Sequence, residues 1–324
     1  YYVEITNATD RQSALDNGTG YVYIKDKYVL YNKNNRDHKK YIEEDGGKVY
    51  DVRQTEILDL EVRGGYITAV GSGNSAIKDS YAGLFGLVED ANISYITVTG
   101  TATAYGEDGS TSQAGIVAKA YGDTKLTSLQ AGITTGAIEN RFVVRTASGT
   151  SGYVGGIVGY ADSGATGNRL TISDCVITNA EISTHKIPFT SALDIFKIGT
   201  GGIVGYTQGD NITSYTDITD CHVVKAYIHS PNGFAVAGIV GNQGLKGALA
   251  VSDCIVGTKG VGAGTTNVTI EGMAAIGGIV SYAFALDTCS NSYIDCYVYE
   301  DVLIRRADRH IDEETKEETD SMTI

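Results

Sequence analysis

Gly155-Gly156-Ile157-Val158-Gly159-Tyr160, with the pair Asp174-Cys175 that follows it, decides how this chain is read. The hexapeptide returns as Gly201–Tyr206 and, varied, as Ala237–Gly241 and Gly277–Tyr282. Each copy leads, 15 to 18 residues after its Ile, to a cysteine preceded by aspartate: Asp174-Cys175, Asp220-Cys221, Asp253-Cys254 and Asp295-Cys296. The flanks rhyme as well, Leu170-Thr-Ile-Ser-Asp-Cys-Val-Ile against Ala250-Val-Ser-Asp-Cys-Ile-Val. Two weaker cores precede these, Ala82-Gly-Leu-Phe-Gly86 and Ala114-Gly-Ile-Val-Ala118. Six copies at intervals of roughly 30–46 residues form an internal repeat, the signature of stacked structural units. The first copy places Ile96 where later ones have cysteine, and aligning the second places Asn140-Arg141 at the Asp-Cys position.

Within each copy, runs of four to seven residues rich in Val, Ile, Thr and Tyr alternate at period two. Asn, Asp, Gly or Ser ends each run, which is the pattern of short strands and tight bends. The fold class expected is all-β, a solenoid of parallel strands with seven or eight coils. A residue at fixed phase then sits about 4.8 Å from its counterpart in the next coil. Cysteine at one phase reads as an interior ladder, because a buried free thiol behaves as a small hydrophobe. The aspartates before it read as a corner column, since Asp tolerates left-handed backbone. A calcium site is the sharper alternative for that column. Thr9-Asp10-Arg11-Gln12 has capping-box spacing, so a short helix over residues 9–17 is expected to cap the N-terminal end. Three regions result: 1–80 as N-terminal cap and first coils, 81–304 as repeats, and 305–324 as an acidic cap or linker.

Composition narrows the classes. Glycine accounts for 41 of 324 residues, well above the usual ~7%, and proline for only two, which excludes collagen. The formal net charge of −14 repels phosphate backbones, so no nucleic-acid partner is expected. No apolar run is long enough to span a bilayer as a helix. Five cysteines are too few for a disulfide framework.

The cores Gly83-Leu-Phe-Gly86, Gly156-Ile-Val-Gly159, Gly202-Ile-Val-Gly205 and Gly238-Ile-Val-Gly241 resemble the GLUG repeat of large secreted and surface-attached bacterial proteins. Gly278-Ile-Val-Ser281 and Gly115-Ile-Val-Ala118 depart from it in their last residue. The resemblance covers roughly residues 80–304. It implies a right-handed parallel β-helix, an extracellular or cell-surface location and an adhesin-like or stalk-like role, and it brings no catalytic residues.

The search for chemistry finds no nucleophile elbow, no His-Glu-x-x-His, no Cys-x-x-Cys and no phosphate-binding loop. No catalytic residue, metal or cofactor is therefore expected. The binding-surface candidates are Tyr160, Tyr206 and Tyr282, which share a phase after the glycine core, with Phe189, Phe196 and Phe234 from variable insertions. Period-two parity leaves open whether the tyrosines face in or out. The expected function is a non-enzymatic surface module that binds glycans or host proteins. The alternatives are a polysaccharide lyase or glycoside hydrolase working in a groove, or a pure spacer. An enzyme needs acids, with or without a base, converging from neighbouring coils. The only acid column legible in the sequence is the one before the cysteines, and it lacks a basic partner.

Overall fold

The computed structural model describes residues 56–57, 60–70, 80–106, 111–135, 138–187, 191–230, 234–261, 264–283, 289–307, 310–311 and 318–319. The expected helix over 9–17 and the candidate Phe189 lie outside these residues. Within them the chain is a parallel β-helix. Six complete coils begin at residues 80, 111, 151, 198, 234 and 274, after a partial coil at 56–70.

Each coil contributes one strand to each of four stacks. Sheet I holds Ser80–Ala82, Thr111–Ala114, Ser151–Gly155, Ile198–Gly201, Phe234–Ala237 and Ala274–Gly277. Sheet II holds the strands that follow the glycine corner, from Phe85–Glu89 through Val158–Asp162 and Val204–Gln208 to Val280–Tyr282. Sheet III runs from Glu56–Ile57 to Ser292–Ile294 and ends, in its six complete-coil strands, at the aspartate corner. Sheet IV forks into a short limb, such as Val176–Ile177, and a long limb, such as Ala180–Ser183. The continuous strands Leu60–Val70 and Ile96–Tyr105 carry both limbs. All pairings between coils are parallel and nearly all in register, so like residues meet: Ile172, Ile218 and Val251 form one column and Ile182, Ile228 and Ile270 another. These six are fully buried, and each contributes roughly 1.5–3 kcal/mol of apolar burial.

The glycine core is the corner between sheets I and II, and sterics dictate its composition. A Cβ on Gly156 would lie 2.3 Å from the Gly202 carbonyl oxygen; one on Gly202 would lie 2.0 Å from that of Gly238, and one on Gly238 2.2 Å from that of Gly278. The repeated glycine is thus a column in which each missing side chain is filled by the backbone of the next coil. Three residues further along, a Cβ on Gly205 would meet the Val154 backbone nitrogen at 2.6 Å. Sheets I and II therefore fold tightly against each other.

The aspartate corner has a different cause. Asp174, Asp220, Asp253 and Asp295 all take φ between 50° and 54°, the left-handed conformation that Asp tolerates better than most residues. In the first two coils Tyr95 and Ser128 occupy the same corner. The cysteine after it points inward: Cys175, Cys221 and Cys254 are fully buried, while Cys296 in the last coil is half-buried. Here one expectation is corrected. The second coil places Ser128-Leu129 at the Asp-Cys position, because Lys125–Thr127 pairs in register with Thr171–Ser173. Asn140 ends, and Arg141 follows, an inserted antiparallel hairpin, Ile133–Thr135 with Ile138–Asn140, which displaced the alignment.

The two ends of the stack differ. In the first complete coil Leu84, Phe85, Val88 and Ile93 are at most 1% exposed. In the last, the interior-phase residues Tyr293, Val298 and Ile304 are 46%, 41% and 42% exposed.

Candidate functional site

The tyrosine column stands on sheet II, in the register Leu87, Lys119, Tyr160, Tyr206, Asn242, Tyr282. Across the tight glycine corner, sheet I presents Tyr81, Gln113, Tyr153 and Gly199 in sequence. Because the corner brings the sheets close, Tyr153 meets Tyr160 edge-on at 5.2 Å and Tyr206 at 4.6 Å, and Tyr160 stacks on Tyr206 at 5.2 Å. Tyr160 donates to Gln208 Oε1 at 3.0 Å, and Lys119 Nζ lies 5.2 Å over its ring.

This cluster supports an insertion. Between Ile187 and the sheet I strand Ile198–Gly201 lies a 3-10 segment, Ala192–Lys197. The Asp194 carboxylate ties the segment together, accepting from Ser191 N at 2.7 Å and pairing with Lys197 Nζ at 2.7 Å. Tyr153 donates to the Phe196 carbonyl at 2.6 Å, and Asn242 Nδ2 donates to the carbonyls of Ile195 and Ile198 at 2.6 and 2.7 Å. Asn242 thus interrupts the tyrosine column in order to anchor the insertion. The Phe196 ring in turn meets Tyr282 edge-on at 6.2 Å. The column is therefore packed rather than an open aromatic strip: Tyr160 is half-buried and Tyr206 only 4% exposed. Burial, with Asp162 nearby, pushes the Tyr206 hydroxyl up to about 12 and raises Tyr160 well above the ordinary phenol range.

Where the insertion meets the loops leaving sheet II, a depression of about 260 Å³ opens. Phe196 and Tyr206 give it aromatic surface; Gln208, Asp210, Leu245 and Lys246 complete its lining. The two loops hold each other, Gly209 N donating to the Lys246 carbonyl at 3.0 Å. Gly244 packs closely on the Tyr206 hydroxyl, since a Cβ there would lie 2.6 Å from it. The hollow thus combines aromatic carbon with an amide, a carboxylate and an ammonium. Of the sequence candidates, Tyr206 and Phe196 line this depression, Tyr160 and Tyr282 pack against those two, and Phe234 heads a sheet I strand opposite Ala274, outside the lining.

A second cluster escaped the sequence reading. On the outer face of sheet IV, Glu181 pairs with Arg141 at 2.7 Å and faces His229 Nε2 at 3.5 Å. His229 stacks on Tyr227 at 4.2 Å, and Glu271 pairs with Arg305 at 2.5 Å. The His229 contact, with Arg141 beside it, holds the Glu181 carboxyl below its usual range despite partial burial. Aligning Ala180-Glu-Ile-Ser, Ala226-Tyr-Ile-His, Val268-Thr-Ile-Glu and Val302-Leu-Ile-Arg would have found these positions, because the shared apolar pair fixes the phase of the two polar columns. The expectation that acids converge only in the column before the cysteines is thereby corrected: here carboxylates meet arginine and histidine from neighbouring coils. Both carboxylates of this strip are engaged in ion pairs.

No protein-family model matches the chain, and no curated protein matches it. Among solved structures, one described as a putative immunoglobulin A1 protease from Bacteroides ovatus is similar over 78% of this chain, with 19% identity and a TM-score of 0.41. This chain spans 62% of that protein's length.

Proposed function

We propose that this β-helix is a non-catalytic binding module of a bacterial extracellular or cell-surface protein, and that it holds a saccharide unit of a glycan in the Phe196–Tyr206 depression. The observation that carries the reading is the lining itself: two aromatic rings on a rigid stack, with Gln208, Asp210 and Lys246 in the same hollow. Rings fixed by packing lose little entropy on binding, and short polar groups beside them select among hydroxyl patterns. The likeness of the glycine cores to GLUG repeats supports a surface role. A glycan displayed on a host protein would reach the depression equally well.

A lyase or hydrolase would draw on the sheet IV strip, where Glu181, His229, Tyr227 and Glu271 converge from three coils. That strip favours ion pairing over proton transfer, since its carboxylates already hold arginine or histidine partners. Glycan-array screening followed by calorimetry tests the binding reading. Lys246→Ala and Gln208→Ala should weaken the hit at least tenfold, with no new reducing ends or unsaturated products formed. Turnover that disappears in Glu181→Gln or Glu271→Gln would replace the module with an enzyme.

A further inference from the structure

The depression beside Tyr206 carries an imbalance of hydrogen-bonding groups. Tyr206 is only 4% exposed, yet its hydroxyl has no hydrogen-bond partner among the described residues. A sequestered hydroxyl left unpaired costs free energy, so a group that accepts from it is favoured there. Burial keeps this phenol protonated up to about 12, so at neutral pH it donates. Gln208 turns its Oε1 to the Tyr160 hydroxyl at 3.0 Å, which leaves its Nε2 to donate. A Cβ on Gly244 would stand 2.6 Å from the Tyr206 hydroxyl and 3.3 Å from Gln208 Oε1, so phenol and amide meet at that loop. Lys246, two residues further along the same loop, lines the hollow and pairs with no carboxylate among the described residues. The loop amides are already occupied: Gly209 N donates to the Lys246 carbonyl, Asp210 N to that of Gly164 and Gly244 N to that of Thr207. The lining therefore presents three side-chain donors, from Tyr206, Gln208 and Lys246, against one carboxylate, Asp210.

On the saccharide-binding reading, on which this rests, we infer that the depression selects an acidic sugar whose carboxylate accepts from Tyr206, Gln208 and Lys246. An ionised carboxylate brings two acceptor oxygens and no donor, the complement of a phenol, an amide and an ammonium. A neutral sugar hydroxyl would satisfy the phenol but leave the Lys246 charge uncompensated, and charge-assisted bonds are the stronger kind. Asp210 takes protons from ring hydroxyls, and its own charge keeps the ligand carboxylate on the Lys246 side. Phe196 and Leu245 supply carbon for the ring. At about 260 Å³ the hollow falls just below the ~300–1,000 Å³ of drug-sized pockets, which suits a single sugar unit.

Calorimetry at neutral pH with matched ligands tests this: oligogalacturonate against its methyl ester and neutral oligogalactose, and sialyllactose against lactose. At least one acidic ligand should bind about tenfold or more tightly than its neutral counterpart, the share of one charge-assisted hydrogen bond. Lys246→Ala and Tyr206→Phe should each bring that ratio toward one, and Asp210→Asn should raise it by removing a like charge. Added salt should weaken the acidic ligand alone. Tyr206→Phe keeps the packed ring, and Lys246 and Asp210 are exposed, so unchanged urea midpoints at neutral pH establish that the variants are folded. Neutral ligands that bind as tightly, with affinity still lost in Gln208→Ala, overturn the acidic class while saccharide binding stands. An acidic preference that survives Lys246→Ala overturns the assignment to this hollow. Failure to bind any glycan on an array of both kinds overturns saccharide binding and the acidic class together.

Discussion

Single residues set this fold where the backbone leaves no room for choice. At Gly202 the constraint is contact rather than torsion: a methyl group would have to share space with the Gly238 carbonyl oxygen of the next coil. At Gly167 it is torsion without contact, with φ at +83° and nothing within 4 Å of a built Cβ. The two kinds of glycine predict different penalties. Gly202→Ala should lower stability by about 2–3 kcal/mol or more, as overpacking against unyielding backbone does. Gly167→Ala should cost about 1 kcal/mol, the penalty of left-handed alanine. Urea midpoints of the two variants measure the difference, and equal midpoints would contradict the steric account. Residue chemistry was most legible here, because Gly, Asp and Cys each meet a demand that few other side chains satisfy. It failed in the second coil, where Ser128 and Leu129 meet the same demands with different letters and Asn140-Arg141 imitates the pattern.

At the scale of the element, the insertion ending in Ala192–Lys197 turns a column of tyrosines into a supported floor. Tyr206 titrates from about 10 when unfolded to about 12 in place, because burial disfavours the phenolate. A raised acid pKa stabilises the native state fully below pH 10, and that stability is lost as pH rises from 10 through 12. A shift of about two units corresponds to about 2–3 kcal/mol. Urea midpoints at pH 8, 10 and 11.5 should therefore fall across the upper interval, and Tyr206→Phe should remove a measurable share of the fall. A variant as alkali-sensitive as the parent would show that Tyr206 is not the group responsible. The burial of this column was illegible from sequence for a physical reason. The tight glycine corner brings Tyr153 from the neighbouring sheet onto Tyr160 and Tyr206, and the cover comes from Phe196 and Asn242, whose role no periodicity announces. The sheet IV strip was equally hidden, since Arg141, Glu181, His229 and Arg305 come from separate coils.

For the whole molecule, burial grades along the stack, and the cysteines report it. Cys175, Cys221 and Cys254 are fully buried; burial raises the thiol of Cys221, and the hydrogen bond with Cys221, followed by burial, raises that of Cys254. Cys296 at the bare end and Cys289 in a loop are half-buried. Since the thiolate is the reactive form, native dilute protein should label two thiols per chain and denatured protein five. Labelling of Cys221 before Cys296 would invert the gradient. Phase places Cys296 in the interior ladder, yet it is half-buried where Cys254 is fully buried: repeat phase tells which way a side chain points, but not how deeply it is covered.

The ladder hydrogen bonds run from coil to coil, along the long axis of the stack. A pull between the two ends therefore loads those bonds in tension, one rung at a time, instead of shearing many together. Coils begin 31 to 47 residues apart, so each one that peels away pays out slack of roughly 3.4 Å per residue, on the order of 100–160 Å. Under such a load the stack would yield in steps, lengthening several-fold before its innermost coils let go.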